Sequence, residues 1–130
     1  MRRKNILDLD GELSLRVVAE DGCIPMGYKI GREWIMGLMD AAVRVVAGAR
    51  SRGTVRIAAV TNINFERIPQ EGDVICVYTN ITRMGRTSIT VSVVAYALRC
   101  FLEQRVRLTS ADYVVVALDD RDLPRMLPMA

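Results

Sequence analysis

The stretch Gly31-Arg32-Glu33-Trp34-Ile35-Met36-Gly37-Leu38-Met39-Asp40-Ala41-Ala42-Val43-Arg44-Val45-Val46-Ala47-Gly48-Ala49 decides the fold. It is almost continuously apolar, contains no proline and is long enough for about five turns, so it predicts one long helix. Glu33, Gly37, Asp40, Arg44 and Gly48 interrupt it at intervals of three or four residues and fall on a single stripe. The rest of the helix surface is apolar, which requires cover on nearly every side.

The flanking sequence says what covers it. Upstream, Val and Leu alternate with period two over about 12–19, which predicts a first strand ended by Gly22, Pro25 and Gly27. Downstream of Ser51-Arg52-Gly53 come four strand-like stretches, at about 55–65, 74–83, 87–102 and 105–118. Pro69 with Glu71-Gly72-Asp73, and then Met84-Gly85-Arg86, mark turns between the first three, so successive strands are expected to pair as antiparallel neighbours. Ile89, Val91, Val93 and Ala95 alternate with Thr90, Ser92, Val94 and Tyr96, giving one wholly apolar face to rest on the helix. The expected architecture is a single α+β domain over 1–130, its long central helix wrapped by an antiparallel sheet of five or six strands. The open edges of such a sheet favour pairing with a second subunit.

With 130 residues, 51% of them apolar, the chain can bury one core without a metal or disulfide staple. Apolar runs such as Val114-Val115-Val116-Ala117-Leu118 fall far short of the roughly 18 residues that span a bilayer. Asp8, Asp10 and Glu12 interrupt any apolar stretch after Arg2, Arg3 and Lys4, so no secretory signal is read and a cytoplasmic location is expected, with no membrane partner. Cys23, Cys76 and Cys100 show no CxxC spacing and suit reduced thiols. The chain has no histidine, so the usual base at neutral pH and the commonest metal ligand are missing. Hydrolytic chemistry has to rest on carboxylates, hydroxyls or the backbone, and neither metal nor cofactor is expected. A net charge of +3, with arginines dispersed singly near acids, argues against a nucleic-acid partner.

Asp40 is the residue that could carry chemistry, because a carboxylate in the middle of an apolar helix must be paired, hydrogen-bonded or facing a cleft. One reading is an i,i+4 ion pair with Arg44, acid first. The other is a base or nucleophile kept ionised by Arg44, with Gly37 one turn earlier leaving a notch for a ligand or a second backbone. Glu33 lies on the same stripe, where the helix dipole also favours an acid, and Lys29 just precedes the helix, where the dipole disfavours a cation. Trp34, Met36 and Met39 read as core filling. The turn Arg83-Met84-Gly85-Arg86-Thr87-Ser88 gathers two guanidinium groups and two hydroxyls around a glycine, which suits either a phosphorylated ligand or an ordinary charged hairpin tip.

Taken together, these blocks resemble the hotdog-fold acyl-CoA thioesterases of the YciA type. Gly11-Glu12-Leu13 through Arg16-Val17 is similar to the family's opening strand, and Trp34-Ile35-Met36 through Met39-Asp40 to its Gly-Gly-Trp-x-Met-x-x-Met-Asp helix. Phe65-x-Arg67 and Gly72-Asp73-Val74 resemble its Phe-Leu-Arg-Pro and Val-Gly-Asp-Val segments, and Gly85-Arg86-Thr87-Ser88-Ile89-Thr90-Val91 its Gly-Arg-Thr-Ser-Ile-x-Val strand. Ala111-x-Tyr113 through Val116-Ala117 and the final Leu127-Pro128 extend the likeness from 11 to 128. The chain departs from the family at Gly27-Tyr28-Lys29-Ile30-Gly31-Arg32-Glu33-Trp34, where the family has Asn-Gly-Asp-Ile-Phe-Gly-Gly-Trp: Lys29 stands for the acid, and Arg32 and Glu33 for two glycines. Val60-Thr61-Asn62-Ile63-Asn64-Phe65 replaces Val-Asp-Gly-Met-x-Phe, which puts Asn62 at the expected cleft.

The resemblance implies a hotdog dimer with clefts between subunits, which a hexamer of three dimers can extend. It implies hydrolysis of acyl-CoA, with Asp40 activating water or attacking the thioester and helix N-terminal amides near Gly31 stabilising the oxyanion. Lys29, Gly31, Glu33, Asn62, Arg83, Arg86, Thr87 and Ser88 are then the candidate ligand-binding residues. The rival expectation, motivated by Lys29, Arg32 and Glu33, is a degenerate hotdog protein that binds acyl-CoA or a related ligand without cleaving it. A hotdog dehydratase is disfavoured, because that chemistry uses a histidine.

Overall fold

The computed structural model describes residues 11–20, 30–99 and 104–128. Strand β1 (Glu12–Val18) is followed by helix α1 (Arg32–Ser51), and then by β2 (Val55–Phe65), β3 (Val74–Met84), β4 (Ser88–Arg99) and β5 (Gln104–Ala117). The five strands form one antiparallel sheet in the order β1-β3-β4-β5-β2, and the helix packs against all five.

Helix α1 begins after Gly31, whose backbone is extended, and ends at Arg52, which takes the left-handed conformation (φ 59°). The Arg52 amide closes the helix onto the Gly48 carbonyl. Trp34, Ile35, Met39, Ala42, Val43 and Ala47 are buried, at the three- and four-residue spacing that defines one face. They meet Ile75 and Val77 of β3, Ile89, Val91, Val93 and Ala95 of β4, and Ala111, Tyr113 and Val115 of β5.

The structure departs from the sequence reading in three places. The helix is not covered on nearly every side. Gly37, Ala41, Arg44, Val45 and Ala49 are exposed, Val45 by 68%, because one sheet can wrap only one side of the cylinder. Nor does β2 pair with β3, its successor in the chain. It lies beside β5 at the far edge of the sheet, with Ile57 opposite Val115 and Val60 opposite Tyr113. A local alternation pattern reports which face of a strand is buried and carries no information about which strand lies next to it.

The third departure is that the face of β4 away from the helix, polar at Thr90 and Ser92, is also buried toward its C-terminal end. Val94 and Tyr96, on the face away from the helix, are buried in a second cluster with Cys76 and Tyr78, where the two tyrosines meet edge to face at 5.8 Å. The Arg105 guanidinium lies 3.5 Å from the Tyr96 ring centroid and 5.4 Å from that of Tyr78. Among the described residues no helix is long and apolar enough to cross a membrane.

Candidate functional site

Asp40 sits midway along α1, half-buried and turned toward β5. The Tyr113 hydroxyl donates a hydrogen bond of 2.7 Å to its Oδ1. Tyr113 is fully buried on β5, flanked by Val91 of β4 and Val60 of β2, so the phenol rises from the middle of a three-strand floor. Burial first, and then the bond to Asp40, push the phenol's pKa well above the ordinary tyrosine value. The hydroxyl therefore stays protonated and acts as a donor.

The expected ion pair between Asp40 and Arg44 is absent among the described residues. Arg44 is exposed and borders a shallow cleft of about 410 Å³ with Val55, Arg56, Ile57, Leu118 and Asp122. Four residues advance a helix by slightly more than one turn, and that small rotation carries Arg44 away from the sheet while Asp40 still faces it. A larger cleft of about 680 Å³ lies at the C-terminal end of α1, between Arg52, Thr54, Asp119, Arg121 and Arg125. Asp40 lines neither of these clefts.

The amides of the first turn of α1 have no side-chain cap, and the Gly31 carbonyl already serves Ile35 N–H. These are the donors a helix leaves free for an anion. Among the described residues, a side chain at Gly31 or Gly37 would meet nothing within 4 Å. Arg32 does not block the helix N-terminus. Its guanidinium carbon sits 4.9 Å from the centroid of the Phe65 ring at the end of β2, which draws the side chain across to the edge strand. Glu33 is exposed in the first turn, and Lys29 lies outside the described residues.

The remaining candidates are dispersed within the single chain. Asn62, in the left-handed conformation (φ 53°) at an irregularity in β2, donates from Nδ2 to Asp112 Oδ2 at 2.8 Å. Asp112 alternates with Tyr113 along β5, so this pair lies on the face away from the helix. Arg83, Arg86, Thr87 and Ser88 form the tip of the β3–β4 hairpin, closed by Gly85 N–H on the Ser88 carbonyl. A side chain at Gly85 would collide with Ser88 Oγ at 2.9 Å. Thr87 accepts from Ala117 N–H, four residues beyond Tyr113, while Phe65 pairs with Thr109, four residues before it. At about 3.3 Å per residue the hairpin tip and the helix N-terminus stand at opposite ends, about 13 Å either side of Tyr113 along the sheet.

Two features were not singled out from the sequence. Tyr113 stands with Thr109 as a polar residue in an otherwise apolar alternating series on β5, which was a usable signal. Arg125 left none. Its side chain donates to the Leu118 and Ser51 carbonyls and to Ser51 Oγ, while Leu127 N–H reaches the Arg86 carbonyl at 2.7 Å, so the C-terminal segment ties the helix end to the hairpin tip. Among the described residues no cluster of carboxylate or thiol side chains could hold a metal ion.

Comparison with known proteins places this arrangement. A family model described as "Thioesterase superfamily" matches residues 34–100. The chain is 31% identical over 122 residues to "Acyl-CoA thioester hydrolase YciA" of Salmonella typhimurium, covering 92% of each protein. Among solved structures it resembles the hexameric thioesterase y2039 from Yersinia pestis, with TM-score 0.83 and 31% identity over 93% of this chain and 98% of that one. It also resembles Cj0915, a hexameric hotdog fold thioesterase of Campylobacter jejuni, with TM-score 0.77 and 26% identity over 91% of both. A helix laid across a five-stranded antiparallel sheet, an acid at its middle and these relatives along most of its length identify the chain as a hotdog-fold member of the thioesterase superfamily.

Proposed function

We propose that the protein hydrolyses acyl-CoA thioesters to the free acid and CoA, with Asp40 as the reacting carboxylate. The observation that carries this reading is Asp40 itself, half-buried on an apolar helix with one oxygen held by Tyr113 and the other without a partner among the described residues. Oδ2 takes a proton from water as the oxygen adds to the thioester carbonyl. First-turn amides of α1 donate to the oxyanion, and collapse expels the CoA thiolate, which recovers the proton. Direct attack by Oδ2, giving a mixed anhydride that water then cleaves, uses the same geometry. Arg83, Arg86, Thr87 and Ser88 bind the phosphorylated part of CoA.

A second copy supplies what one chain leaves dispersed. The edge strand β2 is exposed over most of its length, with Ile63 and Phe65 about 40% accessible. Antiparallel pairing of two β2 strands reverses their direction, so the helix N-terminus of one protomer comes alongside the hairpin-tip end of its partner. Gly31 and Glu33 then border a cleft at the seam, with Asn62 on the β2 edge that forms it. Each chain contributes one domain to a cytoplasmic homodimer that assembles further into a trimer of dimers.

Thiol release from a panel of acyl-CoAs, measured for the native chain and for Asp40→Asn, tests the reading. A fall of at least a hundredfold in kcat is expected, and equal rates would remove Asp40 from the chemistry. Glu33, exposed in the first turn of α1, favours the rival, a binding protein without turnover. Calorimetric binding of acyl-CoA with no thiol release from any substrate would establish that instead.

A further inference from the structure

We propose that Tyr113 is a positioning residue for the chemistry of Asp40, setting which carboxylate oxygen reacts and where it points; this rests on the thioesterase reading above. A carboxylate on a two-torsion side chain, half-buried one turn after Gly37, has several orientations available. The 2.7 Å bond from Tyr113 selects one by fixing Oδ1, and with it the plane of the group. Oδ2 is left to receive a proton or meet the thioester carbon.

The post that makes this contact is rigid. Tyr113 is fully buried on β5, which has a hydrogen-bonded neighbour on each side, Val91 of β4 and Val60 of β2. Other side chains facing the helix from this region, Val91, Val93, Ala111 and Val115, carry no polar group, so no second donor can take over if the phenol is removed. Because burial keeps the phenol protonated, the direction of the bond does not reverse over the range in which thioesters are assayed. The hydroxyl lies under the carboxylate in the core and acts on the substrate only through Asp40.

Tyr113→Phe in the assembled full-length protein is the test, because it deletes the donor and keeps the ring. Steady-state kinetics on acyl-CoA should show kcat lowered about ten- to a hundredfold with KM within about twofold, since misplacing a reacting group by about 1 Å impairs turnover on this scale. Ile75→Val, a packing loss in the same core on β3 and away from the ring, should lower Tm and leave kcat unchanged. A crystal structure of Tyr113→Phe should show the Asp40 carboxylate rotated or in two conformers. An unchanged kcat, a change confined to KM, or an Asp40 fixed as in the native protein would each overturn the proposal. Should the variant fail to assemble, a crystal structure of the native protein decides, with Oδ1 beyond hydrogen-bond reach of Tyr113 as the refuting result. Failure of the native protein to cleave any acyl-CoA would instead refute the thioesterase reading, and the role of Tyr113 would fall with it.

Discussion

Arg125 is the tie whose removal has the most calculable effect. Its guanidinium donates to the Leu118 carbonyl at 2.8 Å, the Ser51 carbonyl at 2.9 Å and Ser51 Oγ at 3.2 Å. Ser51 is fully buried and Leu118 is 6% exposed, so Arg125→Met keeps the aliphatic stem and strands buried acceptors. An orphaned buried acceptor costs about 1–3 kcal/mol, and the adjoining cleft admits water, so the low end applies to each and the total is about 2–4 kcal/mol. With an unfolding entropy of about 2.1 cal/mol/K per residue, a chain of 130 residues responds with a fall in Tm of about 7–15 °C. Differential scanning calorimetry at fixed protomer concentration measures it, since the proposed assembly would make Tm depend on concentration. Gly53 supplies an internal control, because a side chain there would lie 2.6 Å from Arg125 Nη2. Gly53→Ala should reproduce part of the loss by displacing the guanidinium, and should add little in the Arg125→Met background. A fall below about 3 °C for Arg125→Met, or strict additivity of the pair, would refute the claim that this contact holds the helix end.

Other outcomes follow from the same geometry. Arg86→Ala should raise KM for acyl-CoA about five- to tenfold with little change in kcat, and added salt should shrink the difference; a loss confined to kcat would place Arg86 elsewhere in the mechanism. Gly11→Ala should destabilise the fold by more than about 2 kcal/mol in denaturant titration, because φ is +100° there and the added carbon would lie 2.0 Å from the Thr79 carbonyl oxygen. Ala59→Lys with Ile63→Lys should release single folded chains, seen by light scattering with unchanged circular dichroism, because both positions are exposed on the β2 edge. Since the folded Tyr113 holds its proton above the unfolded value of 10.0, the unfolded chain ionises first. Native stability should therefore drop as pH rises past about 10, more steeply than in Tyr113→Phe.

The helix and the strands were legible because their signals are local. A proline-free apolar run and period-two alternation fixed β2 at Val55–Phe65, as the structure has it, and placed the other elements to within a few residues. The β3–β4 hairpin was equally readable from Met84-Gly85-Arg86. The position of β2 beside β5 was not, because pairing depends on which partner strand is free and how far the connection reaches. Asp40 stood out because ionised groups are rare on an apolar helix face. Its partner did not: Arg44 is close in sequence and turned away, while Tyr113 is 73 residues distant and makes the bond. Asn62 was expected at a cleft from the resemblance alone, whereas its left-handed backbone and its bond to Asp112 arise at the strand irregularity, which composition does not show.

The place of β5 between β4 and β2 also governs how the molecule is built. β2 leaves the ribosome long before the strand that will shelter it, so until residues 104–117 emerge it is an orphan ribbon and β4 ends in an open margin. Closure waits for the last strand, and the sequence-distant contacts it makes put the chain among slowly maturing topologies. During that interval the ribbon that would join two copies in the proposed dimer is available to any other nascent chain. The longer that margin stays unpaired, the more of the chain is exposed to aggregation before it folds.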